Sequence, residues 1–163
     1  MGTYQHAEHV FGPIYDAASQ ILILGSFPSV KSREASFYYH HPQNRFWRLL
    51  SQLYEEPFPE GIPERKALLL RHHVALWDVI DSCDIIGSSD TSIRNVKPTD
   101  IASLLQKTKI QKIYGNGSKA CQLYRRYCEE VCGFPIHPLP STSPANAAWS
   151  LPRLQEVWSC ILE

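Results

Sequence analysis

The sequence has no excess of charge of either sign: sixteen Lys and Arg stand against sixteen Asp and Glu in 163 residues. A balanced chain has no long-range field drawing it to a polyanion, so any contact with nucleic acid must rest on a local cluster. It has no run approaching the roughly 20 consecutive apolar residues that cross a bilayer, so no membrane partner is expected. No C-x-x-C pair occurs among the five cysteines, Cys83, Cys121, Cys128, Cys132 and Cys160. Three of these gather around one predicted helix, where cysteine serves as a small buried apolar side chain rather than as a metal ligand. The odd thiol count, and an N-terminus bearing His6, Glu8 and His9 where a leader would be basic and then apolar, predict a cytoplasmic protein with reduced cysteines, no metal and no cofactor. Internal repeats and low-complexity tracts are absent too.

The composition is that of a globular protein, with 44% apolar and 20% charged residues. The length suits one core, so residues 1–163 are expected to form a single domain, with 1–20 as an N-terminal extension packed on or near it, and the protein to be a monomer.

Strand and helix patterns alternate along the chain. Ile21–Leu24 is a continuous apolar run closed by Gly25, as in a strand buried on both faces. A long loop from Ser26 to His41 follows. Pro42 then suits the first position of a helix to about Tyr54, with Phe46, Leu49, Leu50 and Leu53 on its core stripe. A helix over 63–71 and a strand over 74–80 come next, and the Ser-, Asp- and Gly-rich stretch 81–97 predicts a long loop of the kind that is often functional. Thr99 or Asp100 caps a helix carrying Ile101, Leu104 and Leu105. A strand over 110–114, a turn at Gly115-Asn116-Gly117, a helix over 118–131, a short strand near 134–139 and a last helix from Pro152 complete the pattern. That last helix presents Leu154, Val157, Trp158 and Ile161 on one face. The alternation predicts an α/β fold, a three-layer α/β/α sandwich around a short, mostly parallel sheet. Ligands of such folds bind beyond the carboxyl ends of the strands. Four loops should meet there, beginning at Gly25, Asp81, Gly115 and His137.

Two of these loops carry motifs. Gly25-Ser26-Phe27-Pro28-Ser29 followed by His41-Pro42-Gln43-Asn44-Arg45-Phe46-Trp47 resembles the first motif of the mismatch-specific uracil-DNA and thymine-DNA glycosylases, G-x-N-P-G and then H-P-x-N-R-F-W. Leu139-Pro140-Ser141-Thr142-Ser143-Pro144-Ala145-Asn146 resembles their second motif. The likeness extends from Ile21 to Trp158 and is closest to the hypoxanthine-DNA glycosylase branch of the uracil-DNA glycosylase superfamily, which carries G-S-x-P-S. H-P-x-N-R-F-W is a specific signal; a Pro-Ser loop alone is a weak one.

The resemblance implies a monofunctional DNA glycosylase that hydrolyses the N-glycosidic bond of a deaminated base flipped out of DNA, hypoxanthine first and uracil or xanthine after it. Phe27 stands where the mismatch-specific enzymes carry a water-positioning Asn, and a phenyl ring cannot orient water. The branch uses an Asn at the place of Asn44, which is therefore the expected catalytic residue, aligning water through its carbonyl. On a helix from Pro42, Asn44 also falls opposite the apolar stripe, beside the loop mouth. Tyr39 is the expected stacking platform, with Phe37 and Tyr38 able to exchange roles. Ser26, Phe27, Trp77, Asp78, Asp81 and Asn116 are the other candidates for base binding. Pro144, Ala145 and Asn146 would be the wedge, and Ser141, Thr142, Ser143 and Arg45, with Lys31 and Arg33, the phosphate contacts. Glycosyl transfer passes through an oxocarbenium-like state, so donors at the departing base are needed. No lysine lies in the motifs to form a Schiff base. By local rules alone Asn44 is a helix cap, Asn116 a turn residue, His41 a structural histidine and Ser141–Ser143 ordinary turn chemistry. A non-catalytic nucleic-acid-binding module of this fold, or a hydrolase of free nucleosides, remains open at this point.

Overall fold

The computed structural model describes residues 2–163. Four parallel strands form the central sheet: β2 (Ile21–Gly25), β3 (Val74–Asp78), β6 (Lys112–Asn116) and β7 (Ile136–Leu139), in the order β3-β2-β6-β7. Strand residues point alternately to opposite faces, and the apolar run of β2 supplies both. Ile23 meets Leu49, Leu50, Leu69, Leu154 and Trp158 in one core. Leu22 and Leu24 meet Ile101, Leu104, Leu123 and Tyr124 in another. The first core packs α2 (Phe46–Leu53), α3 (Ile62–Arg71) and α7 (Leu151–Trp158) on one face. The second packs α4 (Ile101–Gln106) and α5 (Ser118–Tyr127) on the other, so the sheet lies between two helical layers.

Several local expectations are corrected. The strand from Val74 ends at Asp78, where Val79 and Ile80 donate their N–H groups to the carbonyls of Gly25 and Ser26 and turn the chain away. Ile80 opens β4 (Ile80–Ile85), which pairs antiparallel with β1 (Gln5–Glu8) and β5 (Arg94–Pro98) in a second, three-stranded sheet. The stretch 81–97, read as loop, is thus largely sheet joined by a 3₁₀ turn at Asp90–Ser92. Asp81, Arg94, Asn95 and Lys97 are exposed, and the sheet rests on the second core through Ala7, Cys83, Ile85 and Val96.

The long loop after β2 contains a helix, α1 (Val30–Ala35), capped by the Ser29 hydroxyl. Helix α2 starts at Phe46 rather than Pro42, and residues 41–45 form turns before it. The expected helix over 118–131 divides at Cys128 into α5 and α6 (Glu129–Cys132). On α7, Leu154 and Trp158 are buried, but Val157 is 39% exposed and lies outside the core-facing stripe. Asp100 caps α4, accepting from Ser103 N–H; Thr99 instead donates its hydroxyl to the carbonyls of Asp78 and Val79. No helix among the described residues is long and apolar enough to cross a membrane.

Candidate active site at the carboxyl end of the sheet

Parallel strands bring all their carboxyl ends to one edge, and a cavity of about 360 Å³ opens there. That volume lies within the range of small-molecule sites, roughly 300–1,000 Å³. Gly25–Ser29 follow β2 into its wall, Asp78 ends β3, Asn116 ends β6, and Ser141–Ala145 follow β7. Tyr38, Tyr39, His41 and Asn44 enter from the segment ahead of α2, and Ser88 and Asp90 from the β4–β5 connection. Gly117, at φ 97°, makes the turn into α5; a side chain there would crowd the Ser141 Cβ at 3.2 Å.

Asn44 is held by what its oxygen accepts. Phe46 N–H donates to Asn44 Oδ1 at 2.9 Å and the Thr142 hydroxyl donates to it at 2.8 Å. A backbone N–H can only donate, so the atom facing it must be oxygen, and the amide cannot be turned over. Thr142 is fully buried and pairs twice with Asn116, whose Oδ1 accepts from Thr142 N–H and whose Nδ2 donates to Thr142 Oγ1, both at 3.0 Å. The carbonyl expected to align water is therefore occupied. Asn44 offers the cavity the hydrogens of its Nδ2, which has no partner among the described residues. Its place before α2 rather than within it makes this possible, since the same oxygen then caps the helix.

The cavity also carries two carboxylates. Asp78 Oδ2 accepts from His9 Nε2 at 2.8 Å, both side chains being almost wholly buried. Asp90 Oδ1 accepts from the Ser26 hydroxyl at 2.9 Å; burial raises the Asp90 carboxyl above its ordinary range, opposed in part by that hydrogen bond. The Tyr39 ring stacks on Phe46 at 4.3 Å, which takes one of its faces, and its hydroxyl is buried with no hydrogen-bond partner among the described residues. Burial first and then the charge of Asp78 push this phenol up, against a smaller pull from the Asn116 amide, so it stays a neutral donor. Phe27 lines the cavity from the second core, with the Arg33 guanidinium 5.3 Å from its ring centre. Phe37 does not reach the cavity and stacks on Trp47 in the first core, while Tyr38 lines the cavity and donates its hydroxyl to Gly12 O.

Other candidates are placed differently from expectation. Trp77 lies outside the cavity lining, between the two cores, because alternation along β3 turns it away while Asp78 turns in. Asp81 is likewise absent from the lining; it is exposed on β4, and its carbonyl accepts from His9 N–H. Arg45 is not a free cation for phosphate. Its guanidinium donates to the carbonyls of Ser143 (2.9 Å), Asn146 (3.2 Å), Thr142 (3.4 Å) and Trp149, and so braces the loop after β7 from within. Arg33 is committed as well, to Gly87 O at 2.9 Å, which leaves only Lys31 exposed from the expected basic cluster. Pro144 and Ala145 sit at the cavity wall with Ala145 exposed, whereas the Asn146 amide turns inward to Ser141 O. The hydroxyls of Ser141 and Ser143 accept from the N–H groups of Ser143 and Ala145, forming the turns of that loop.

A family model described as the uracil DNA glycosylase superfamily matches residues 13–162, almost the whole chain. The chain belongs to the uracil DNA glycosylase superfamily. Among its relatives in the superfamily is a hypoxanthine DNA glycosylase of Methanosarcina acetivorans, 34% identical over 153 residues that cover 93% of this chain and 95% of that one. A hypoxanthine DNA glycosylase of Methanosarcina barkeri is 33% identical over 83% of this chain and 86% of its own. The solution NMR structure of a protein from M. acetivorans described as a uracil DNA glycosylase superposes with a TM-score of 0.78 at 30% identity, covering 94% of this chain and 97% of that one. The α/β architecture with a mostly parallel four-stranded sheet is thus the superfamily's own. Two residues at this site lie outside the motifs. Asp90 lines the cavity from a Ser-, Asp- and Gly-rich stretch with no spacing that distinguishes it. His9, behind the wall, lies sixty-nine residues from Asp78, and no local pattern connects them.

Proposed function

We propose that this chain is a monofunctional DNA glycosylase that removes a deaminated base, hypoxanthine before uracil or xanthine, after the nucleotide has rotated out of DNA into the cavity. The observation that carries the proposal is the Asn44 amide. The Phe46 N–H and the Thr142 hydroxyl lock its oxygen, so its Nδ2 hydrogens are directed by construction rather than by rotation. Donors fixed before the reaction cost no reorganisation when charge develops, which is where their catalytic value lies.

Each lining group then has a task. Pro144 and Ala145 are the wedge that fills the gap left by the extruded base, whose unstacking costs a few kcal/mol. Tyr39 and Asp78 meet the base edge, the phenol as donor and the carboxylate as acceptor. As the C1′–N bond lengthens, its electron pair passes to the base and the sugar becomes cationic. Asp90, held by Ser26, stabilises that cation and accepts a proton from the attacking water. Asn44 Nδ2 donates to the water's oxygen, leaving its second lone pair for C1′. The new C1′–O bond completes hydrolysis. Among the described residues no lysine lines the cavity, which favours water over an amine as nucleophile.

The test is incubation with duplexes containing hypoxanthine, uracil or xanthine, followed by alkali to cut abasic sites. Nicking by the wild type that is lost in Asn44→Ala supports the proposal. Binding without nicking indicates a non-catalytic module, and base release from free deoxyinosine alone indicates a nucleoside hydrolase; either result overturns it.

A further inference from the structure

His9 follows β1, outside every motif of the chain, and its side chain lies behind the cavity wall against Asp78 rather than in the lining itself. Its backbone N–H donates to Asp81 O at 2.7 Å, and its ring stands edge-on to Phe11 (4.5 Å) and Phe27 (6.1 Å). Nε2 reaches Asp78 Oδ2, while Nδ1 is buried with no partner among the described residues. An apolar side chain would fill this aromatic niche without stranding a nitrogen, so packing does not account for histidine here. Asp78 Oδ1 accepts nothing among the described residues. A Cβ added to Gly25 would strike that oxygen and come within 2.9 Å of the Tyr39 hydroxyl. An unused acceptor and an unpartnered buried donor therefore face one point in the cavity wall.

We infer that His9 is a positioning residue for base selection: it takes Asp78 Oδ2 out of use and holds Oδ1, beside the Tyr39 hydroxyl, as the single acceptor for the ring N–H of a deaminated base. The inference rests on the glycosylase reading above. Hypoxanthine presents N1–H next to a carbonyl, and uracil presents N3–H in the same relation. Adenine and cytosine carry a lone pair at the equivalent ring nitrogen, and this would face the lone pair of Oδ1. Guanine has the N–H but adds an amine beside it that needs a second acceptor, and Oδ2 is already spent on His9. A site whose buried polar groups are left unpaired by the wrong ligand can discriminate by 10⁴–10⁵.

The arrangement makes an unusual demand on an amide at position 78. With His9 in the Nε2–H tautomer that the Asp78 carboxylate selects, Asp78→Asn turns its oxygen to His9 and its NH₂ to the base, donor against donor. We expect kcat/KM on hypoxanthine duplex to fall at least 100-fold in Asp78→Asn. Adding His9→Leu frees that amide to turn over and should restore at least tenfold, whereas His9→Leu alone should lower the wild-type value. His9→Gln, which keeps a donor, should retain most of it. Opposite signs of one substitution in two backgrounds cannot arise from a stability loss, which thermal melting of each variant measures separately. Wild type should also fail on 1-methylhypoxanthine, which lacks the N–H; that arm needs no variant to fold. Cleavage of the methylated base at a comparable rate overturns the inference, as does loss by His9→Leu in both backgrounds. If the wild type nicks no deaminated base at all, it is the glycosylase reading that fails; active enzyme with unchanged selection in these variants refutes the role of His9 alone.

Discussion

Thr142 has no exposure and makes three side-chain-mediated hydrogen bonds, to Asn44 and in both directions to Asn116. Thr142→Val keeps its shape but strands the Asn116 Nδ2 and removes one of the two donors on Asn44 Oδ1. The expected loss is about 1–3 kcal/mol of stability, read by denaturant unfolding. Turnover should fall further than stability implies, up to about 100-fold, because a slightly misplaced amide is costly at the reacting centre. Asn44→Asp separates capping from chemistry. A carboxylate still accepts from Phe46 N–H and Thr142, so the melting temperature should hold, yet without Nδ2 hydrogens activity should disappear. Asp90 gives a pH prediction with a definite sign. Burial holds its carboxyl above its ordinary value. Activity that needs it ionised is lost as pH falls through that raised value, so the acid limb of kcat lies above where a solvated carboxylate would put it. Asp90→Asn should abolish the limb along with most of the turnover. A folded state that binds this proton more tightly than the unfolded state is favoured below the unfolded pKa, and the advantage is lost as pH rises through the folded pKa. The same variant should therefore be no less stable than wild type at neutral pH.

At the scale of elements, the loop after β7 is shaped from behind by Arg45, whose single guanidinium reaches four carbonyls across about a hundred residues of sequence. Arg45→Ala should cost about 1.5–3 kcal/mol, raise KM for duplex DNA and lower kcat together, since the proposed wedge and Thr142 ride on that loop. Arg45→Lys should recover little, because an ammonium cannot match a planar fork of donors. Steady-state kinetics with melting curves checks both. The strands and helices of the central layers were legible because burial imposes a period: Ile23 and Leu22 divide between two cores as alternation requires. The β4–β5 sheet was not. Its apolar residues, Ile80, Cys83, Ile85 and Val96, are interrupted by Asp81, Ser82, Asp84 and Asn95, and its partner β1 lies seventy-four to eighty residues away in sequence. The start of α2 was misplaced because Pro42 satisfies helix-start rules that His41 and Asn44 override by turning the chain.

For the molecule as a whole, positive and negative charges balance, and Arg33 and Arg45 of the expected basic cluster are held by backbone carbonyls instead of facing phosphate. Binding should weaken only gently with salt, with a slope of log K against log salt of about −3 or shallower, measured by fluorescence anisotropy over a salt series. A steeper slope would mean that basic residues elsewhere on the surface carry the contact.

Taken by itself, the sequence determined what depends on neighbours in the chain: the faces of β2 and α2, the crossing pattern that sends four strand ends to one edge, and the motif residues His41–Trp47 and Leu139–Asn146 that bear the family likeness. Only the tertiary structure decided which atom of Asn44 faces the cavity, that Arg45 works inside a loop rather than on DNA, and that His9 completes Asp78. Hydrogen-bond direction and long-range pairing are properties of atoms brought together by folding, and neither leaves a period or a spacing in the sequence for a reader to find.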